Sequence, residues 1–265
     1  MDLIKKGDHG AIVHELQRKL NTQGAKLTVD GWFGDATEAA VANLQRRAGL
    51  VVDGIAGPKT QEALRGETRA QRLREADLQA AADQLGVPLA CVKAVNEVES
   101  RGSGFLADGR PVILLERHVA YRQAKAADLA VDVMALRYSN LVNPKRGGYT
   151  GGAGEWSRFD NLRSVTSLQI AIESCSWGAF QVMGYHWAAL GYASAEDFQA
   201  KMIASEGNHL DAFVRYVLLD PALVKALKAK KWAEFARLYN GPAYKENLYD
   251  AKLAAAYAKA ERLVA

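Results

Sequence analysis

The sequence of 265 residues has few of the side chains that disulfide and metal chemistry require. It contains two cysteines, Cys91 and Cys175, on apolar stretches that favour helix, and we expect two buried free thiols. A single disulfide between them is compatible with the count but not implied by it. The five histidines are scattered, and neither an HExxH nor a CxxC motif occurs. We therefore expect no metal site and no cofactor.

Long apolar runs and a strong charge bias are also missing. The N-terminus, MDLIKKG, lacks the apolar core of a signal peptide, and the longest stretch without Asp, Glu, Lys or Arg (174–195) is too polar for a transmembrane helix. We therefore expect synthesis in the cytoplasm, with any export depending on outside help. The formal charge of +4 includes a net of +1 for residues 1–66, where 9 Lys and Arg face 8 Asp and Glu. No basic stripe is concentrated enough for nucleic-acid binding.

The first part of the chain contains an internal repeat. Residues 30–41 return 23 positions later as residues 53–64, and each copy starts with an Asp-Gly pair that predicts a tight turn. Asp35 and Glu38 have the spacing of a capping box, and Pro58 suits the first position of a helix. Together with the apolar spacing, these signals predict a small bundle of three helices.

The fixed spacings of this repeat resemble the peptidoglycan-binding domain of bacterial and phage wall hydrolases, over residues 3–66. The resemblance implies that the ligand is a glycan strand or stem peptide of the bacterial wall; a structural module without a ligand is the alternative. Trp32 and Phe33, beside a turn, are the candidate wall contacts, and burial in the core is their alternative. The positions that carry the resemblance include Gly10, Leu16-Gln17, Asp30-Gly31, Phe33-Gly34, Thr37, Leu44-Gln45, Asp53-Gly54, Gly57-Pro58 and Thr60.

The charged segment after this repeat predicts a domain boundary. We divide the chain into a wall-binding domain (1–66), a short linker (67–72) and a second domain (73–265). Helical periodicity dominates the second domain, and a small β-hairpin is the exception. The predicted fold is therefore mainly α: a three-helix domain followed by a mostly helical α+β domain.

One predicted helix of the second domain ends in Glu99. At 100° per residue, Glu99 falls within the apolar face, whereas Glu97 and Lys93 share the opposite face as a solvated ion pair would. A carboxyl group with apolar neighbours at a cleft can stay protonated and act as a general acid. A helix cap, or a buried ion pair with Arg101 or Arg117, is the alternative role.

Three other glutamates could supply a second carboxylate. The hairpin predicted over 104–118 places Glu116 on one face of a strand, with a salt bridge to Arg117 or Arg137 as its alternative role. Five glycines between 147 and 154 predict a loop that lines a groove. Glu155, just after that loop, is a weaker candidate because it could simply pair with Arg158. Glu173 comes near the end of a helix predicted from about 165.

Three separated motifs in this domain resemble the lysozyme-like superfamily of goose-type lysozymes and lytic transglycosylases. They are Val98-Glu99-Ser100, Ser176-Trp-Gly-Ala-Phe-Gln181 and Tyr239-Asn-Gly-Pro242. Together with Gly104-Phe-Leu, Glu116-Arg-His118 and Met183-Gly184, they look more closely like the N-acetylmuramidase domain of phage endolysins, over about residues 70–265.

The resemblance implies roles for individual residues. Glu99 would be the general acid, and the second carboxylate would be Glu173, slightly favoured, or Glu116. The candidate substrate contacts are Tyr149, Ser176, Gln181, Tyr239 and Asn240. The alternative role for each of them is helix capping or hydrogen bonding within the core.

The expected function is hydrolysis of the β-1,4 bond between N-acetylmuramic acid and N-acetylglucosamine by a monomeric phage endolysin. The resemblance implies peptidoglycan as the partner, a holin as the candidate route out of the host cytoplasm, and action on the periplasmic wall. A lytic transglycosylase that forms an anhydro sugar is the enzymatic alternative. A wall-binding protein without catalytic activity is the alternative from another class.

Overall fold

The structure is a computed structural model that describes residues 3–67, 69–100, 103–245 and 247–264. Arg101, one alternative partner predicted for Glu99, lies outside these residues, as does Thr68 of the predicted linker. The described residues form fourteen α-helices and one sheet of three short strands. The predicted class, a mainly α protein with a small antiparallel β element, is confirmed.

The first three helices form a bundle with its own apolar core. They are α1 (Ala11–Thr22), α2 (Asp35–Arg47) and α3 (Pro58–Leu64), and Pro58 occupies the first helical position as predicted. The core takes all of its fully buried members from residues 4–64: Ile4, Val13, Leu16, Leu20, Phe33, Val41, Leu44, Ala56 and Leu64.

The sequence repeat corresponds to two equivalent hydrogen-bonded turns. In the first copy, the buried Gln17 donates to Asp30 Oδ1 (2.8 Å) and accepts from the Gly31 N–H (2.9 Å). In the second copy, the buried Gln45 donates to Asp53 Oδ1 (2.7 Å) and accepts from the backbone N–H of the next glycine (3.0 Å). Each glutamine, supplied by the helix before the turn, thus satisfies buried polar groups of an Asp-Gly pair, which explains why both copies of the repeat keep that pair.

The predicted capping box at the start of α2 is wrong. Gly34 is the N-cap residue, and it has no side chain that could accept a hydrogen bond. The carboxylate of Asp35 instead contacts the Lys6 ammonium, and Glu38 Oε2 lies 3.6 Å from the same nitrogen. The two carboxylates therefore pair with Lys6, which precedes α1, and do not cap the helix.

The remaining helices enclose a second, larger core, whose fully buried residues come from 73–260. Trp177 lies within it, with its ring edge-on to those of Trp156, Phe159 and Phe198. The helices are α4 (Glu75–Leu85), α5 (Leu89–Glu99), α6 (Arg117–Ala126), α7 (Val131–Arg137), α8 (Gly154–Val165), α9 (Leu168–Glu173), α10 (Ala195–Ala204), α11 (Glu206–Leu218), α12 (Pro221–Lys228), α13 (Trp232–Asn240) and α14 (Tyr249–Val264).

The sheet pairs segments that are distant in the sequence. Strand β1 (Ile113–Leu115) pairs antiparallel with β2 (Cys175–Trp177), which pairs in turn with β3 (Val182–Met183). The hairpin predicted over 104–118 forms only over 104–112, where Phe105 and Pro111 are bridged antiparallel and the Val112 N–H donates to the Gly104 carbonyl oxygen (2.8 Å). A tight turn does form at Gly109, but the strand after it finds its partner about sixty residues later, and α6 already begins at Arg117.

Two further predictions differ from the structure. Lys93 is buried, where its ammonium contacts Glu75 and donates to the Val52 carbonyl oxygen (3.0 Å), while Glu97 pairs with Lys259 (3.2 Å). The predicted Lys93–Glu97 pair is wrong because Val52 of the first bundle and Glu75 of α4 enclose the Lys93 ammonium, whereas Glu97 stays exposed. Cys91 and Cys175 are buried free thiols as predicted, but Cys175 lies in a strand.

Helix α8 was not predicted. The glycine-rich stretch before it and the mixed polarity within it conceal the apolar residues Trp156, Phe159 and Leu162, which are all buried. The glycine loop itself ends where this helix begins, at Gly154.

Candidate active site

Glu99 is the last residue of α5, and it faces the last residue of α13. The side-chain amide of Asn240 donates to Glu99 Oε1 over 3.0 Å, and the two residues are both partly buried. Burial raises the pKa of Glu99, and the hydrogen bond from Asn240, which favours the ionised form, offsets part of that rise. The structure thus places a carboxyl group with an increased tendency to hold a proton at the junction of two helix ends, as a general acid requires.

Tyr239 lies next to this carboxyl group. Burial and then the charge of Glu99 raise the pKa of Tyr239, so its hydroxyl group stays protonated. The Tyr239 ring stacks on Phe235 at 6.0 Å and meets Phe213 edge-on at 5.3 Å. The predicted pair Tyr239-Asn240 is therefore held by the apolar core on one side and touches the candidate acid on the other.

The middle of the sheet carries Ser176 and Gln181 together. Ser176 is paired with Leu114 on one side and with Met183 on the other, so these three residues share a face. The Ser176 hydroxyl donates to Gln181 Oε1 (2.8 Å), and the Gln181 amide donates to the Gly178 carbonyl oxygen (2.8 Å). Gln181 has a φ of 52°, a left-handed backbone conformation that these side-chain bonds help to maintain.

Glu173 is the last residue of α9, and its known partners are neutral. Its Oε1 atom accepts hydrogen bonds from the indole N–H of Trp187 (2.9 Å) and from the Gln169 amide (2.9 Å). Trp187 reaches it because Gly184 packs directly against the end of α9: a Cβ atom there would lie 2.0 Å from the Ile172 carbonyl oxygen. Within the described structure, this carboxylate has no cation at salt-bridge distance.

Glu116 caps the start of α6 and belongs to a small polar cluster. Its Oε2 atom accepts a hydrogen bond from the Tyr149 hydroxyl (2.8 Å) and lies 3.2 Å from Nδ1 of His118. Burial lowers the pKa of His118, although the charge of Glu116 opposes this change. Arg117 is not a partner of Glu99 or Glu116, because its guanidinium donates to carbonyl oxygens of the 139–146 segment.

The register of the sheet brings these two glutamates to the same end. The Glu116 N–H donates to the Ser174 carbonyl oxygen (2.9 Å), directly after Glu173 in the chain. At the opposite end, the Val112 N–H donates to the Gly104 carbonyl oxygen (2.8 Å), in the segment that follows Glu99. The sheet face that carries Ser176 therefore has Glu173 and Glu116 at one end and Gly104 at the other.

Glu155 is part of the framework of the domain. It is 0% exposed, and Arg158 Nη1 lies 2.6 Å from its Oε2 atom. It also accepts from the N–H groups of Leu115 (3.0 Å), Thr150 (2.7 Å) and Gly151 (2.9 Å). Burial acts to raise the pKa of Glu155, but these N–H donors and Arg158 together lower it. The predicted alternative, a pair with Arg158, is what the structure contains.

A row of partly exposed rings begins at Tyr239 and was not predicted. Tyr216 lies 6.1 Å from Tyr239, His186 lies 5.1 Å from Tyr216, and Tyr185 lies 4.3 Å from His186. The Arg122 guanidinium covers the far face of Tyr185 at 5.8 Å. The Gly-Tyr-His-Trp run at 184–187 was a visible signal for these residues, because aromatic side chains can contact the apolar faces of ligands.

The two candidate wall contacts of the first bundle lie in opposite environments. Trp32 is 54% exposed and stacks on His9 at 5.8 Å, so its ring is accessible. Phe33 is 0% exposed and belongs to the apolar core, so the prediction of a surface contact is wrong for it.

Among the described residues, no group of three or more His, Cys, Asp or Glu side chains is arranged to hold a metal ion. No described helix is both long enough and apolar enough to cross a membrane.

Comparisons with known proteins agree with this arrangement. A family model described as N-acetylmuramidase matches residues 88–261, and one described as "Putative peptidoglycan binding domain" matches residues 9–64. The crystal structure of the Burkholderia AP3 phage endolysin is 53% identical and superposes with a TM-score of 0.95. The match covers 98% of this chain and 100% of that one.

Curated relatives match a shorter stretch. The chain is 45% identical over 65 residues to "Probable N-acetylmuramoyl-L-alanine amidase" of Bacillus licheniformis, which is 23% of this chain and 18% of the relative. It is 45% identical over 60 residues to the zinc D-Ala-D-Ala carboxypeptidase of Streptomyces albus G, which is 22% of this chain and 24% of the relative. The chain thus spans less than a quarter of these two relatives. With the N-acetylmuramidase model matching residues 88–261 and the endolysin matching along its whole length, the chain belongs to the N-acetylmuramidase family.

Proposed function

We propose that this protein is an endolysin that hydrolyses the β-1,4 bond between N-acetylmuramic acid and N-acetylglucosamine in bacterial peptidoglycan. The observation that carries the proposal is the environment of Glu99, a partly buried carboxyl group at a helix end with a raised pKa. Cleavage of a glycosidic bond needs an acid that protonates the leaving oxygen while positive charge develops on the sugar ring.

The hydrogen bond from Asn240 indicates which oxygen of Glu99 carries the proton. Asn240 donates to Oε1, which is therefore occupied as an acceptor, and the proton is left to Oε2. In this arrangement Asn240 orients the carboxyl group, and Tyr239 adds a neutral hydroxyl group beside it. When the leaving oxygen takes the proton, the amide N–H stabilises the carboxylate that remains.

Glu173 is our candidate for the carboxylate that activates water or stabilises the cation. Its hydrogen-bond donors, Trp187 and Gln169, are both neutral and both contact Oε1, so Oε2 remains available. Glu116 is the competitor, since it likewise has one oxygen engaged, but its Oε2 atom lies 3.2 Å from His118, whereas the two donors to Glu173 do not titrate. We propose that Glu116 and Tyr149 instead shape the groove at that end of the sheet.

The substrate contacts that we propose follow the sheet face and the row of rings. Gln181 would donate its second amide N–H to a polar group of the glycan, because only one N–H is used by Gly178. Ser176 would act as an acceptor, because its hydroxyl proton is already donated to Gln181. Tyr216 and Tyr185, which continue the row from Tyr239, would pack against the apolar faces of successive sugar rings.

The first bundle would attach the enzyme to the wall. We propose residues 1–66 as the wall-binding domain, 67–72 as the linker and 73–265 as the catalytic domain, in agreement with two separate apolar cores. Trp32 is the candidate wall contact, because its ring is largely exposed. A monomer that stays in the host cytoplasm until a holin gives access to the periplasmic wall completes the proposal.

The experiment that tests this function is mass spectrometry of the soluble products released from purified sacculi. Wild type should release fragments with reducing-end muramic acid, and Glu99→Gln should release none, because an amide cannot donate the proton. Glu97→Gln is the matched control: it removes a carboxylate from the exposed face of the same helix and should leave the products unchanged.

Three other results would change the proposal. Anhydro-muramyl products would keep Glu99 as the acid but make the protein a lytic transglycosylase. Absence of products from wild type, with retained binding to sacculi, would contradict enzymatic activity. If Glu116→Gln loses activity and Glu173→Gln keeps it, the second carboxylate is Glu116 and our assignment is wrong.

A further inference from the structure

A buried carboxylate joins the two bundles and the backbone at Gly104. Glu206 is the first residue of α11 and is only 1% exposed. Its Oε2 atom lies 2.6 Å from Lys59 Nζ and accepts from the Leu73 N–H (2.8 Å), while its Oε1 atom accepts from the Gly104 N–H (2.8 Å). One side chain therefore holds three segments that are far apart in the sequence.

These three donors have different origins. Lys59 comes from α3 in the wall-binding bundle, Leu73 follows the predicted linker, and Gly104 lies five positions after Glu99. A cavity of about 460 Å³ separates the bundles beside this point, and both Lys59 and Glu206 line it. The cavity interrupts apolar packing between the bundles at this point. Polar contacts such as the Lys59–Glu206 pair therefore contribute more to holding the two bundles together.

Charge explains why Lys59 matters to Glu206. Burial acts to raise the pKa of Glu206, but the Lys59 ammonium and the N–H groups of Leu73 and Gly104 hold it below its usual value. Lys59 is the nearer of two cations, since Arg72 Nη1 lies 3.8 Å away. Without Lys59, a buried negative charge would keep its backbone donors but lose its principal counter-charge.

The same helix also supports the turn that carries Gln181. One turn after Glu206, Nδ1 of the buried His209 accepts from the Ala179 N–H (3.2 Å), and Nε2 contacts the Met202 carbonyl oxygen (2.7 Å). Its ring lies so close to two glycines that a Cβ atom would come within 2.4 Å at Gly104 and 2.5 Å at Gly178. Helix α11 therefore fixes both the segment after Glu99 and the turn of the sheet.

We propose that Glu206 is a positioning residue for the proposed active site and that Lys59 of the wall-binding domain completes it. In this arrangement the wall-binding domain contributes to turnover as well as to attachment. The inference rests on the proposed function, since it assumes that the sheet face with Ser176 and Gln181 binds the glycan. Neither Lys59 nor Glu206 contacts Glu99, so the effect acts through the sheet: the Gly104 carbonyl oxygen accepts from the Val112 N–H (2.8 Å), and the Val112 carbonyl oxygen accepts from the Gly178 N–H (2.8 Å).

The test measures kcat and KM of the full-length protein on soluble glycan oligosaccharides without stem peptides. Such a substrate makes attachment to the wall irrelevant. Lys59→Met should lower kcat about tenfold or more, because small displacements of a catalytic group have large effects, while KM changes less than about twofold. Lys59→Arg, which keeps the charge, should retain most of the wild-type kcat. Lys19→Met is the matched control, because Lys19 pairs with Glu15 (2.6 Å) on the surface of the same bundle.

A double variant separates positioning from simple loss of folding. If an unpaired Glu206 charge causes the defect, Lys59→Met combined with Glu206→Gln should have a kcat at least about threefold above that of Lys59→Met, since both charges are then absent. The rescue should be incomplete, because an amide has one acceptor oxygen for the N–H groups of Leu73 and Gly104. Thermal melting of every variant gives the folded fraction at the assay temperature.

Several outcomes would overturn the inference. They are an unchanged kcat in Lys59→Met, a loss of kcat that only follows the folded fraction, or a loss that the double variant does not reduce. An inactive wild type would instead contradict the proposed function, so the two failures can be told apart.

Discussion

Replacing Glu155 distinguishes a framework carboxylate from a catalytic one. In the structure Glu155 is fully buried, pairs with Arg158 and accepts three backbone N–H groups, two of them from the glycine loop. Removing one partner of a buried ion pair costs about 3–5 kcal/mol, because the other charge is left without compensation. For a domain of about 150–250 residues, 1 kcal/mol corresponds to about 2–4 °C, so Glu155→Ala should lower the melting temperature by about 6–20 °C.

The assay compares melting temperature with kcat at a temperature where each variant is still folded. The framework role predicts that Glu155→Ala keeps kcat within about threefold when corrected for folded protein. Replacing both partners, as Glu155→Leu with Arg158→Met, should recover much of the lost stability, since neither buried charge then remains. The reasoning is refuted if Glu155→Gln melts within about 2 °C of wild type but loses more than about a hundredfold in kcat.

Three further predictions concern Glu99 and the wall-binding bundle. Asn240→Leu removes the donor that favours ionised Glu99, so the pKa of Glu99 should rise further. Because the acid must be protonated, the alkaline limb of the pH profile of kcat/KM should move to higher pH, and a limb that moves down would contradict the assignment. Trp32→Ala should weaken co-sedimentation with sacculi and leave the melting temperature unchanged, because the ring is exposed. Phe33→Ala should instead destabilise the bundle by about 3–5 kcal/mol, measured by urea denaturation. Equal binding by wild type and Trp32→Ala would exclude that contact.

The parts of the fold that the sequence predicts well depend on local signals. The repeat at 30–41 and 53–64 predicts two equal turns, because each contains an Asp-Gly pair, and in the structure a glutamine from the preceding helix bonds to each pair. Helix ends are similarly local: Gly86 has a φ of 62° and ends α4 in the left-handed conformation that glycine adopts without strain. Glu99 could be placed at a helix end for the same reason.

The errors come from contacts between distant segments. A helical wheel correctly puts Lys93 opposite the apolar face of α5. It cannot show that the Val52 carbonyl oxygen of the first bundle contacts the Lys93 ammonium. The strand at 113–115 has the right composition, yet its partner at 175–177 is specified by packing around Trp177 and not by a nearby turn. Local patterns carry no information about which of two surfaces is later buried.

The same reasoning explains why the second carboxylate was harder to predict than the acid. The position of Glu99 needs one helix end and one long-range contact, to Asn240. The positions of Glu173 and Glu116 both depend on the sheet register. The position of Glu173 also depends on Gly184, which packs so closely on the end of α9 that a Cβ atom would lie 2.0 Å from the Ile172 carbonyl oxygen. A glycine at such a point looks like any other glycine in the sequence. Its requirement is visible only when the backbone it touches is known, so the glycines near the site mark where the catalytic geometry depends on tertiary contacts.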